Sequence, residues 1–203
     1  MKKIIALLFV LSGIYITASA QTKGTTEFGV SIGYNGSTVT TGQYTNSNER
    51  LGLNFGVSAD FYFSDRWSFK AKLSYDQKGW DDGFLNGSYY GFYTTNYRLN
   101  YITVPLMANW HFGRTRNWYL NFGPYVGFLL NAKETAGSTP LNEVFNTVDA
   151  GLDAGIGIKF RISDKAKFFI ELNGQGGVTD IIKDNGGSAL RNSTSALNVG
   201  INF

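Results

Sequence analysis

The sequence predicts an all-β chain: an eight-stranded antiparallel up-and-down β-barrel that crosses a membrane with its strands. Three observations predict it. From Phe28 onward, stretches of about ten residues alternate apolar and polar positions, which gives each strand one greasy and one polar face. The connections between these stretches alternate between long and short. The large aromatic residues gather beside the short connections. A soluble sandwich has no reason to segregate its loops by length or its aromatics to one end, whereas a barrel in the outer membrane does both.

The chain opens with a secretory signal. Lys2 and Lys3 precede the apolar run Ile4 to Leu11, and Ala18-Ser19-Ala20 forms a small-x-small cleavage site before Gln21. The apolar run is shorter than the roughly 20 residues that a spanning helix needs, and no cysteine follows it to carry a lipid. Cleavage leaves residues 21–203 as a single domain and lowers the formal charge from +3 to +1, too little to suggest nucleic acid as a partner. The chain has no cysteine, so disulfides and thiolate metal sites are excluded and stability must come from strand pairing and packing. No later apolar run is long enough for a spanning helix, which leaves strands to cross the membrane.

Strands are expected near 27–36, 51–63, 67–78, 98–112, 118–130, 149–162, 167–177 and 195–203. Long connections then cover 37–50, 79–97, 131–148 and 178–194, and short ones follow the second, fourth and sixth strands. Outer-membrane barrels have short periplasmic turns, long outer loops and an even strand number. A ten-stranded barrel would result if 86–97 folded into an extra hairpin. On the apolar face, Phe61, Phe63, Trp67, Phe69, Trp110, Phe112, Trp118, Phe160, Phe168 and Phe203 all fall beside a short turn or the terminus, as in an aromatic girdle at the periplasmic interface.

The opposite face is small or polar, and eight strands enclose only enough room for side chains. Asp60, Lys70, Lys72, Asp153, Lys159, Arg161 and Glu171 form the expected lumen charge cluster. Counting back from the tight turns pairs Asp60 with Lys70 and Lys159 with Glu171, since unpaired buried charges are costly. The expected barrel is therefore plugged.

Three stretches resemble the small outer-membrane β-barrels common in Bacteroidetes, of the porin-family or secretion-associated type. They are Tyr101-Ile102-Thr103-Val104-Pro105-Leu106, Phe122-Gly123-Pro124-Tyr125-Val126-Gly127-Phe128-Leu129-Leu130, and Asp153-Ala154-Gly155-Ile156-Gly157-Ile158. The resemblance implies the barrel fold and says almost nothing about activity. Where Thr103 stands, the family usually carries an acidic residue. Phe203, the terminal aromatic, resembles a signal for the barrel-assembly machinery. Pro105 and Pro124 fall almost opposite one another around the 113–117 turn, where a bulge or a missing ladder bond is expected because proline cannot donate.

No catalytic, cofactor-binding or metal site is expected. His111 is the only histidine, and its parity points it inward at the short-turn end, away from where a lipid deacylase would work. Asp180 and Asp184, before Asn185-Gly186-Gly187, lack the spacing of a calcium loop, and Asp81-Asp82 is as weak a signal. Gly155-x-Gly157 lies mid-strand with no helix to follow, unlike a dinucleotide motif. The second long connection is the richest surface. Trp80, Phe84, Tyr89, Tyr90, Phe92, Tyr93 and Tyr97 would suit recognition, or would simply extend a hairpin past the membrane.

The expected protein is a non-enzymatic barrel in contact with outer-membrane lipid, with a structural or surface-interaction role through its long loops. The sequence stops at Phe203 without a wall-binding domain, so wall anchoring is not expected. A narrow channel for small solutes is one alternative. Another is an accessory barrel of a secretion machine, with Arg66, Arg114 and Arg116 near periplasmic turns. The protein partner, extracellular or periplasmic, is left open.

Overall fold

The computed structural model describes residues 23–40, 47–85, 93–135, 140–183 and 186–203. The signal segment 1–20 lies outside them. Eight strands close into one barrel: β1 (Thr26–Thr40), β2 (Asn48–Tyr62), β3 (Trp67–Leu85), β4 (Tyr93–Phe112), β5 (Trp118–Glu134), β6 (Val148–Arg161), β7 (Lys167–Gly177) and β8 (Arg191–Asn202). Each strand pairs antiparallel with the next, and β1 closes on β8 from Gly29↔Asn202 to Thr40↔Arg191. Phe203 finishes the seam: its N–H donates to the Phe28 carbonyl at 2.8 Å and its carbonyl accepts from Phe28 N–H at 2.9 Å. β4 runs unbroken from Tyr93 and pairs with β3 up to Leu85, so the extra hairpin of a ten-stranded barrel does not form.

Every expected strand is present, and most run further toward the long loops than alternation alone predicts. Single-residue register shifts fall there, between Glu49 and Asn54, Trp80 and Gly83, and Asn100 and Tyr101. Beyond the lipid layer nothing demands an apolar outer face, so pairing continues while the period-two pattern fades.

The barrel is inside-out relative to a soluble domain. Leu53, Phe55, Leu152, Leu172 and Leu197 point outward and are exposed, while Asp60, Lys159, Glu171 and Asp153 are buried within. Such an apolar outer wall is stable only against lipid. The girdle forms as a contiguous belt at the short-turn end. Trp67 stacks on Trp110 (ring centroids 6.2 Å apart), Trp110 on Phe112 (5.1 Å), Phe112 on Trp118 (6.4 Å) and Phe160 on Phe168 (6.4 Å).

Pro105 pairs with Tyr125, and the β4–β5 ladder resumes only at Ala108↔Phe122, passing over Leu106 and Met107. At this point β4 presses against Gly123, where a Cβ would meet the Leu106 carbonyl oxygen at 2.1 Å. The two prolines thus cost ladder bonds without opening the wall.

Candidate functional site

The lumen holds most of the buried polar residues, and their parity on the strands puts them there. Near the short turns, Lys159 Nζ on β6 donates to Glu27 Oε2 (2.7 Å), Tyr62 Oη (3.0 Å) and Asp60 Oδ2 (3.4 Å). Lys167 Nζ bonds the other Glu27 oxygen, Asn109 Nδ2 donates to Asp60 Oδ2 (2.9 Å), and Asn202 Nδ2 donates to Glu27 Oε2 (3.3 Å). One step up, Lys70 Nζ on β3 crosses to Glu171 Oε2 on β7 at 2.8 Å, and Asn121 Nδ2 donates to the same oxygen at 2.8 Å. The Tyr119 ring lies between the two ammonium groups, 5.2 Å from Lys70 Nζ and 5.4 Å from Lys159 Nζ.

The expected pairings are therefore exchanged. Asp60 and Lys70 are register partners across β2–β3, but Lys70 pairs with Glu171, while Lys159 pairs with Glu27 and Asp60 instead of Glu171. In a barrel this narrow, long side chains from facing walls meet in the middle, so the ladder neighbour is only one choice of partner.

The remaining cluster members divide. Asp153 accepts from Asn173 Nδ2 (3.0 Å) and Gln175 Nε2 (2.8 Å) rather than from a cation. Lys72 is half-buried, with its side chain beside Gly56 of β2, and among the described residues no carboxylate lies within salt-bridge distance of it. Arg161 is not in the lumen: it ends β6, is exposed, and its Nη2 bonds Asp164 at 2.6 Å within the turn.

Toward the long loops the lumen changes character. Lys78 Nζ lies 3.5 Å from Asp149 Oδ2 and over the rings of Tyr125 (4.8 Å) and Tyr101 (5.3 Å). Tyr125 Oη (3.2 Å) and Asn192 Nδ2 (2.9 Å) also donate to that Asp149 oxygen. Above this pair the lumen is largely apolar. Val39, Trp80, Tyr97, Leu99, Tyr101, Ala132, Phe145, Ile181 and Leu190 form one buried cluster. The connections after β5 and β7 fold inward to supply Phe145 and Ile181, tied by the Phe145↔Ile182 bridge and by Asn146 N–H donating to the Ile181 carbonyl at 2.8 Å.

Trp80 and Tyr97 are thus not a presented surface. They are 5 % and 6 % exposed, stacked at 4.4 Å, with Phe145 edge-on at 6.1 and 6.3 Å. Both keep the inward parity of their strands, Trp80 with Asp76 and Lys78 on β3 and Tyr97 with Leu99 and Tyr101 on β4, and the register shift between Trp80 and Gly83 lies beyond Trp80 on the long-loop side. Phe84 and Tyr93 fall in the paired ends of β3 and β4, and Tyr89, Tyr90 and Phe92 lie outside the described residues. Asp184 also lies outside them, while Asp180 Oδ1 accepts from the N–H groups of Ile182 (3.0 Å) and Leu190 (3.1 Å) and so shapes its loop. Among the described residues no group of three or more His, Asp or Glu side chains is placed to hold a metal.

His111 is fully buried and inward, with Nε2 3.2 Å from Ser68 Oγ and 3.9 Å from Asp60 Oδ2. A serine, a histidine and an aspartate do meet, but not as a catalytic triad. The serine and the carboxylate share one ring nitrogen, and Nδ1 has no hydrogen-bond partner, so the carboxylate cannot orient the ring against the serine.

Glu27, Lys78, Asp149, Lys167 and Tyr119 complete the lumen network but were not in the expected charge cluster. Glu27 and Lys78 sit at expected strand ends, and Tyr119 shares the inward parity of Asn121, the one signal that marks it. Gly157 does not leave the interior open. A Cβ at Gly157 would fall 2.2 Å from the Tyr119 ring, so the ring already fills that space.

No curated protein sequence matches this chain significantly. Its fold is similar to the crystal structure of the outer membrane protein OprG from Pseudomonas aeruginosa, at 11 % identity and a TM-score of 0.53, covering 91 % of this chain and 98 % of that one. It is also similar to Neisserial surface protein A, at 12 % identity and a TM-score of 0.51, covering 86 % and 95 %. The profile of the outer membrane protein beta-barrel domain matches residues 19–183. An apolar outer wall, an aromatic girdle and a closed eight-stranded sheet agree with that match: the chain belongs to the outer membrane protein beta-barrel domain family and is an integral outer-membrane protein.

Proposed function

We propose that this protein is a closed, non-enzymatic barrel that acts through its outer wall and long connections. The lineage suggested by the Tyr101–Leu106 and Phe122–Leu130 stretches, small barrels of the Bacteroidetes type, belongs to the same reading. One observation carries it: the lumen is obstructed in series, by the ionic network around Lys159 and Lys70 and by the apolar cluster around Phe145. The buried Ser68–His111–Asp60 arrangement lacks both triad geometry and access, which supports the absence of catalysis.

A narrow channel is the second reading, favoured by the half-buried Lys72 facing small β1 and β2 residues such as Ser31 and Gly56. Conduction would require both obstructions to move. An accessory role through periplasmic turns has less support, because Arg116 Nη1 is engaged with Asp65 Oδ2 at 3.1 Å, joining two turns. The deciding experiment is conductance of the barrel, purified from outer membranes, in a planar bilayer. A folded but silent barrel is expected. Discrete conductance steps would make the channel reading primary.

A further inference from the structure

At the long-loop end of β4 and β5 the outer wall changes from apolar residues to cations. Arg98 and Lys133 are register partners and both are exposed, while their neighbours Leu99 and Ala132, also partners, face inward and are fully buried. On the same outer face Asn100 Nδ2 donates to Asn131 Oδ1 at 2.9 Å, and below that pair Ile102 and Phe128 begin the apolar belt. From Phe112 to Ile102, a strand tilted by about 40° climbs about 25 Å, the full height of the apolar band of an outer-membrane barrel. Arg98 therefore sits at the level of lipid headgroups.

Like charges placed directly opposite on a sheet repel. Among the described residues, neither Arg98 nor Lys133 has a carboxylate within salt-bridge distance to relieve that repulsion. A third cation joins them. The Arg50 side chain of β2 runs beside Gly79, and Gly79 is the β3 register partner of Arg98. Gly79 has φ 134°. A Cβ there would meet the Tyr97 carbonyl oxygen at 2.0 Å and Arg50 Cδ at 3.0 Å, so glycine both permits the bulge and lets the Arg50 stem pass close by.

We propose that Arg98, Lys133 and Arg50 form a docking point for the phosphate of a phosphorylated lipid headgroup in the leaflet at the long-loop end. A phosphate bound there replaces repulsion between facing cations with charge-assisted hydrogen bonds, which guanidinium groups make in bidentate form. The apolar belt below accepts the acyl chains of the same lipid. This site is independent of whether the lumen conducts.

The test compares unfolding midpoints of the whole barrel in phosphatidylcholine nanodiscs doped with diphosphorylated lipid A or with the same lipid dephosphorylated. The wild type is expected to gain about 5 °C from the phosphates, the shift that saturating binding gives a domain of this size. Replacing both cations, Arg98→Gln with Lys133→Gln, is expected to abolish that gain and to leave the midpoint in dephosphorylated lipid equal to or above that of the wild type. An equal gain in the double variant would overturn the proposal. So would an equal loss on Arg66→Gln at the opposite end, or the same gain from inorganic phosphate added to discs with dephosphorylated lipid.

Discussion

The two halves of the lumen are filled by opposite chemistries on one wall. Near the short turns, Lys159, Glu27, Asp60, Lys70 and Glu171 are contributed by strands alone, and each charge has an opposite charge in contact. Near the long loops, Trp80, Tyr97 and Leu99 from the strands are sealed by Phe145 and Ile181 from connections that fold back inside. The first filling is built from the rigid sheet and depends on mutual neutralisation. The second depends on connections that, among the described residues, pair only through the isolated bridges Lys133↔Pro140 and Phe145↔Ile182. The difference teaches that the ionic half belongs to the stability of the barrel, while the apolar half can be altered with the barrel intact.

The largest expected effect breaks the ionic half. Lys159→Met removes the ammonium group shared by Glu27 and Asp60 and leaves buried carboxylates short of a partner. Breaking a buried pair in this way costs about 3–5 kcal/mol. A clear fall in the urea midpoint of the folded barrel is expected, and an unchanged midpoint would mean that the network is wet and contributes little.

A smaller loss is expected from the apolar half. Phe145→Ala gives up the burial of one aromatic side chain, about 1.5–3 kcal/mol, and most of that loss should fall on the folded-back connection rather than on the barrel. Because the chain contains no cysteine, one introduced thiol reports on access. Ala132→Cys, inward and fully buried beside the cluster, should resist a membrane-impermeant maleimide when Phe145 is present and react once Phe145→Ala is added. Equal labelling with and without Phe145 would remove this residue from the barrier.

Much of this comparison could be read from the residues. Alternation from Leu53 to Phe63 and from Leu152 to Ile162 marked the lipid-facing wall, because lipid penalises a polar side chain at every second position. The same parity placed Asp60, Lys70, Asp153, Lys159 and Glu171 in the lumen. Two things were not legible. One is the inward burial of Trp80 and Tyr97: both keep the parity of Lys78 and Leu99, but with the strands expected to stop at 78 and start at 98 they fall in the connection, and the Phe145 that covers them lies in an otherwise polar stretch. The other is the choice of partner. Counting from a turn finds the ladder pair Asp60 and Lys70 but sets Lys159 opposite Glu171, where its register partner is Phe169, and contacts across the lumen depend on how far apart the walls stand.

That second point sets the smallest and sharpest prediction. Lys70 faces two carboxylates: Asp60, its register partner on β2, and Glu171, across the lumen on β7. Neighbouring charged residues couple by about 0.5–3 kcal/mol in double-mutant cycles, and pairs without a shared contact fall below that range. A cycle of Lys70→Met with Glu171→Gln should therefore show coupling of about 1 kcal/mol or more. The parallel cycle of Lys70→Met with Asp60→Asn should show less, because Asp60 is already held by Lys159 and Asn109. If the Asp60 cycle gave the larger coupling, the ladder would govern pairing after all, and the lumen would be two charged rims along the wall rather than one network spanning it.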